Sequence, residues 1–130
     1  MNDANWPDKV FALTLFTEDL GASRAFYAKF LDAASIHEDV DSVVFRAGST
    51  LINLLRFEAV PELIEPLQMG PGGRCAVYTL TVPDVDRACA RLAKQGLHPA
   101  SGPVDRPWGP RTANFSDPSG HVWELSSSSA

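Results

Sequence analysis

The sequence predicts an α+β domain built of two βαβββ modules. Three observations predict it: the chain repeats itself at an offset of half its length, each copy passes from an alternating pattern to a helical one, and three further β-type segments follow each helix. "LTLFTEDLGASRAF" (13 to 26) aligns with "YTLTVPDVDRACAR" (78 to 91), so Thr14 falls on Thr79, Leu15 on Leu80, Asp19 on Asp84 and Leu20 on Val85. One domain over residues 1–130 is expected, with a first module at about 9–57, a linker at about 58–73 and a second module at about 74–127.

In chain order, the opening strand gives way to a helix from about Asp19 to Leu31, with apolar positions three and four apart at Leu20, Phe26, Tyr27 and Phe30. Asp19 and Asp84 each stand just ahead of a helical run, where a carboxylate caps free N–H groups and favours the helix dipole; neither needs a catalytic role. "SIHEDV", "SVVFRA" and "STLINLLRF" complete the first module as strands. The linker "EAVPELIEPLQMGPGG" has room for one helical turn before its Pro/Gly cluster. The second helix runs from about Asp84 to Gln95 and is stopped by Gly96. "LHPASGPV", "RTANFS" and "HVWELS" follow as strands. Asp117-Pro118-Ser119-Gly120 fits a type I turn in the last hairpin, and the tail "SSSSA" reads as disordered. Trp6 would cover a sheet edge or a dimer contact.

With 45% hydrophobic residues in 130, the chain can bury a core without disulfides. Cys75 and Cys89 lack metal-type spacing and are expected as small buried residues in a reducing compartment. The start has no basic-then-apolar leader, and no stretch approaches the roughly 20 apolar residues of a membrane span, so a cytoplasmic protein without membrane contact is expected. A net charge of −5 with no Lys/Arg cluster argues against nucleic acid and mildly favours neutral or cationic ligands.

The paired modules, the acidic residue and "FY" of the first helix, and the closing "DPSGHVWEL" together resemble the vicinal oxygen chelate superfamily of glyoxalases, extradiol dioxygenases and bleomycin-resistance proteins. That resemblance covers about Val10 to Leu125 and implies curled mixed sheets around a ligand cleft. It also implies metal ligands on the first and last strand of each module. Those positions fall here on Ala12, Asn53, Val77 and Glu124, of which only Glu124 is a strong ligand, so no metal and no cofactor is expected. The histidines His37, His98 and His121 lie on other segments, and His121 is expected to point away from Glu124.

If Ala12 and Glu124 face the ligand, alternation brings Thr14, Phe16, Leu51, Asn53, Leu55 and Phe57 to the same side, with Cys75, Val77, Thr79 and Val122 from the second module. "PWGPR…DPSG" is similar to a segment of bleomycin-resistance-type members, which stack tryptophans on a planar drug; this implies that Trp108 and Arg111 lie near the cleft mouth. The alternatives are a hydrophobic plug for Trp108 and a carboxylate pair for Arg111. The candidate ligand-binding residues are therefore Phe16, Asn53, Leu55, Phe57, Val77, Thr79, Trp108, Arg111 and Glu124. Glu124 suits a polar anchor that accepts hydrogen bonds from a donor-rich ligand, or from Asn53 or Arg111. The expected function is metal-independent binding of a small, partly aromatic molecule by a homodimer, as in sequestration of an antibiotic or toxic metabolite. A divalent-metal lyase, isomerase or dioxygenase is the alternative, and an accessory subunit docking another protein is a third.

Overall fold

The computed structural model describes residues 7–72 and 74–127; Trp6 lies outside them. The chain divides into two units, Met1–Gln68 and Met69–Ala130, with the boundary inside the Pro-containing segment after the first module. The first unit contains β1 (Ala12–Thr17), α1 (Leu20–Phe30), β2 (His37–Glu38), β3 (Ser42–Ala47) and β4 (Thr50–Arg56), then a 3-10 turn (Phe57–Ala59) and α2 (Val60–Ile64). The second contains β5 (Val77–Val82), α3 (Val85–Lys94), β6 (Ser101–Asp105), β7 (Arg111–Ser116) and β8 (Val122–Ser127).

Each unit is a βαβββ module with one four-stranded mixed sheet, ordered β1-β4-β3-β2 in the first and β5-β8-β7-β6 in the second. In both, the first strand runs parallel to the last and the remaining pairs are antiparallel. This is the α+β architecture that the repeat predicts, and neither sheet closes on itself.

The helix caps repeat as well. Asp19 accepts a hydrogen bond from Ala22 N and Asp84 one from Arg87 N, both at 3.0 Å, which satisfies an N–H of each first turn. At the other end, Gly96 N reaches Ala93 O at 3.0 Å and Leu97 N reaches Leu92 O at 3.0 Å, a Schellman closure that needs positive φ at Gly96 (φ +82°). Helix α1 closes with the same bonds through Asp32 (φ +51°), so an ordinary side chain holds the left-handed position that glycine fills in the second copy.

One face of each sheet lies under its helix. In the first unit Leu15, Val43, Phe45, Ile52 and Leu54 are buried together with Phe26, Tyr27 and Phe30 of α1. The Phe26 and Tyr27 rings meet edge to face at 5.0 Å and Tyr27 lies 6.3 Å from Phe45. In the second unit Ala113, Phe115, Trp123 and Leu125 are buried, as are Val85, Cys89 and Leu92 of α3. Each large side chain so covered contributes about 1.5–3 kcal/mol relative to exposure. Alternation then leaves the other face of each sheet free of its helix.

Several expectations change. Phe57 was expected to extend the fourth strand, but β4 ends at Arg56 and Phe57 opens the 3-10 turn, because the backbone is already coiling into α2 with Pro61 in its first turn. Cys75 is exposed and precedes β5, so it does not alternate with Val77 in a strand; Cys89 is buried as expected. Ser126 and Ser127 extend β8 through pairing with Thr81 and Val82, although the rest of the serine-rich tail lies outside the described residues.

Two turns shape the second sheet. In the β7–β8 hairpin, Gly120 N reaches Asp117 O at 3.0 Å and Asp117 N reaches His121 O at 2.9 Å, the type I turn expected from the sequence, with Gly120 at φ +92°. The buried Asp117 carboxylate accepts from Ser119 N at 2.9 Å and His121 N at 2.8 Å, and lies 2.7 Å from His121 Nδ1. On the other side, the β6–β7 register shifts between Ser101 and Val104. Gly102 sits in that shift at φ +83°, where a Cβ would lie 2.5 Å from Thr112 O and 3.0 Å from Ala113 Cα. Only glycine lets the backbones approach so closely there.

Candidate ligand site

The helix-free face of the second sheet carries a row of polar side chains. Register sets Thr79 opposite Glu124, Glu124 opposite Asn114, and Asn114 opposite Ser101, so the four share one face across all four strands. The row is bonded at its ends: Thr79 Oγ1 donates to Glu124 Oε1 at 3.0 Å, and Asn114 Nδ2 donates to Ser101 Oγ at 3.2 Å. Its middle is open. Asn114 Oδ1 is buried without a hydrogen-bond partner, and among the described residues Glu124 pairs with no cation. A carboxylate and an orphan amide oxygen side by side call for a donor, since a buried acceptor left unpaired costs about 1–3 kcal/mol.

The first sheet carries the counterpart. Thr14 lies opposite Asn53 in the parallel β1–β4 pair, as Thr79 lies opposite Glu124 in β5–β8, and Asn53 Nδ2 donates to Thr14 Oγ1 at 3.3 Å. Asn53 Oδ1 is again buried and unpaired. Around it the face is apolar, with Phe16 opposite Leu55 one pleat away. The second face is richer in hydroxyls, with Thr79, Thr81, Thr112 and Ser126 beside Val77 and Val122. The apolar lining expected from the sequence thus describes the first module better than the second.

The structure brings Phe16, Asn53 and Leu55 together on one sheet and Val77, Thr79 and Glu124 on the other. Val77 is 57% exposed. Phe57 leaves the strand series, as described above. Arg111 also moves: strand parity turns it to the face opposite Glu124. There its Nε donates to Asp86 of α3 at 2.7 Å and its Nη1 to Asp105 at 3.1 Å, and these bonds, the Asp86 one above all, raise its already high pKa. The carboxylate pair considered for Arg111 is thus what the structure contains, and Glu124 accepts from Thr79 instead of Asn53 or Arg111.

The arginine that does reach the Glu124 face is Arg106, which the sequence reading passed over. Its Nε donates at 2.8 Å to Oγ1 of Thr112, a 1%-exposed residue on the same face as Asn114 and Glu124. Its guanidinium carbon lies 5.6 Å from the ring centroid of Trp108, which is 70% exposed on the β6–β7 loop. The signal that could have found it is the bulge-prone "SGPVDRP", in which Gly102 resets which side chains face inward.

The donor set does not fit a divalent cation of the kind the resemblance implies. Ala12 and Val77 have no ligating atom, Asn53 already gives its amide nitrogen to Thr14, and no three His, Cys, Asp or Glu converge among the described residues. His121 is engaged with Asp117 in the hairpin. No described helix is long and apolar enough to cross a membrane.

These elements, two βαβββ modules with the first strand of each parallel to its last, define a class of protein. The model of the glyoxalase/bleomycin resistance protein/dioxygenase superfamily matches residues 9–125, and the chain belongs to that superfamily. Among solved structures, it is similar to a glyoxalase/bleomycin resistance protein/dioxygenase from Nocardioides, at 26% identity and TM-score 0.79 over 94% of this chain and 84% of the other. A glyoxalase-related enzyme from Fulvimarina pelagi aligns at 20% identity and TM-score 0.80 over 94% and 89% of the two chains. A lactoylglutathione lyase from Agrobacterium tumefaciens aligns at 20% and 0.77 over 93% and 94%; at such identities these two speak for the fold alone. A search of curated protein sequences found no match.

Proposed function

We propose that this chain binds a small, partly aromatic molecule on the helix-free face of its second sheet without a resident metal, and that it acts by sequestration. The observation that carries the reading is the Thr79–Glu124–Asn114 row, in which a carboxylate without a cation lies beside an unpaired amide oxygen. A ligand with a donor or positive charge would satisfy the Glu124 carboxylate, and a charge-assisted bond of this kind is worth about 1.5–3 kcal/mol. On the same face of the second sheet, Val77 and Val122 flank the row and supply apolar contact of the kind small-molecule sites use.

Titration calorimetry against a panel of planar cationic compounds tests this. Glu124→Gln keeps the shape and removes the charge; it is expected to leave the unfolding midpoint unchanged and to weaken a cationic ligand about tenfold or more. Equal affinity of both proteins across the panel refutes the anchor role. Elemental analysis after dialysis against Zn, Ni, Mn and Fe checks the other half of the proposal. About one equivalent retained per chain, and lost in Glu124→Ala, would replace this reading with a metal-dependent lyase, isomerase or dioxygenase.

A further inference from the structure

We propose that Arg106, held between Thr112 and Trp108, is an anion subsite that takes the carboxylate of an aromatic ligand whose donor end meets Glu124; the Glu124 half rests on the function proposed above. Arg106 and Glu124 are opposite charges on one face of one sheet, and neither has an ionic partner among the described residues. They are kept apart by the strands. Thr112, which holds Arg106, pairs with Ser126, whereas Glu124 pairs with Asn114, so Thr112 and Glu124 are diagonal neighbours about 7–8 Å apart. Unpaired opposite charges on one face, one held at Thr112 and the other borne by Glu124, form a complement to a molecule that carries the opposite charge at each end.

The guanidinium is set up for the task. Its Nε is used by Thr112 and one side is covered by the Trp108 ring, which leaves the two terminal nitrogens with N–H donors for the oxygens of a carboxylate. The loop backbone is closed on itself, with Arg106 N donating to Pro110 O at 2.8 Å and Gly109 N to Arg106 O at 3.0 Å. Pro107 and Pro110 further restrict it, so little conformational entropy is lost when an anion binds. Arg111 provides the contrast nearby. Asp86 and Asp105 engage all three of its nitrogens and neutralise its charge, whereas Arg106 has no carboxylate partner among the described residues. Trp108, 70% exposed, keeps ring surface on which an aromatic spacer between the two charges can stack.

Four matched probes separate the two ends: 4-(aminomethyl)benzoate, 4-(aminomethyl)benzamide, 4-methylbenzoate and 4-methylbenzamide. Each is titrated into the full chain while the Trp108 indole N–H resonance is followed by two-dimensional nitrogen–proton NMR, with the peak assigned from Trp108→Phe. The zwitterionic probe is expected to bind about tenfold or more tightly than the cationic amide and to move the Trp108 signal. Arg106→Gln is expected to bring the acid-over-amide ratio to about one, and Arg106→Lys to recover only part of it, because a point charge cannot form the fork. The proposal is overturned if acid and amide bind equally to the native chain, if the acid preference survives Arg106→Gln, or if acid binding leaves Trp108 unmoved. Its fate is separable from that of the Glu124 reading. Loss of the acid preference with Glu124-dependent binding of the amine leaves the proposed function standing alone; Arg106-dependent binding of 4-methylbenzoate with no effect of Glu124→Gln leaves the anion subsite standing alone.

Discussion

Replacing Gly102 with alanine probes the backbone that delivers Arg106 and Trp108 to the site. A residue with a Cβ at φ +83° incurs about 1–2 kcal/mol of left-handed strain. The new Cβ would also lie 2.5 Å from Thr112 O and 3.0 Å from Ala113 Cα, both backbone atoms of β7 that cannot swing aside as a side chain would. Overpacking of that kind adds about 1–3 kcal/mol, for a total near 2–5 kcal/mol. Gly48, in the β3–β4 turn, supplies the control: its φ is +61°, but a Cβ there meets nothing within 4 Å, so Gly48→Ala should show the strain without the clash. Urea unfolding of the two variants, with slopes of about 1–3 kcal/mol per molar, should give Gly102→Ala the lower midpoint by about a molar unit. A loss in Gly102→Ala no greater than in Gly48→Ala would refute the close approach of β6 to β7. Gly102→Ala should also weaken any aromatic acid bound through Arg106, since the bulge leads directly into its loop.

Asp117→Ala removes the acceptor for Ser119 N and His121 N and should cost about 2–4 kcal/mol in thermal unfolding, whereas Asp117→Asn keeps an oxygen at the same place and should cost less; equal losses would count against the backbone bonds as the cause. Hydrogen bonds from Arg111 hold the Asp86 carboxyl below its ordinary value of 3.8, so its contribution is complete above that pH and disappears as pH falls through the lower folded value. Asp86→Asn should therefore lower the urea midpoint at about pH 7 and approach the native chain as the pH falls below 3.8, the effect being small because the pair is exposed; a difference that does not shrink in acid would refute this assignment.

What was legible in the sequence is what local chemistry encodes. Alternation separated Leu15, Ile52, Leu54 and Trp123 from Thr14, Asn53 and Glu124 correctly, because the side-chain period of a strand depends on nothing outside it. Asp19, Asp84, Gly96 and the Asp117 turn were readable for the same reason: each acts within a few residues of itself. The bond from Thr79 to Glu124 was not, since it requires the register of a parallel pair 45 residues apart in sequence. Arg111 stands in the "PWGPR" segment whose resemblance to bleomycin-resistance-type members implied a place near the ligand, and Arg106 stands just before that segment. Only the paired register of β7, with Thr112 facing as Glu124 does, reveals which guanidinium shares that face. Phe57 and Cys75 failed at strand ends, where pairing and not pattern decides which residue is last.

The Thr14–Asn53 and Thr79–Glu124 pairs occupy the same lattice point in two copies of one scaffold. The repeat has thus given the chain two corresponding addresses, each bonded to a threonine, that differ in charge. One address holds a neutral amide within an apolar wall, the other an acid within a hydroxyl-rich one. A reciprocal exchange, Asn53→Glu with Glu124→Asn, should transplant the polarity of the site from one half of the molecule to the other, because the scaffold is held in duplicate and its chemistry in a single copy.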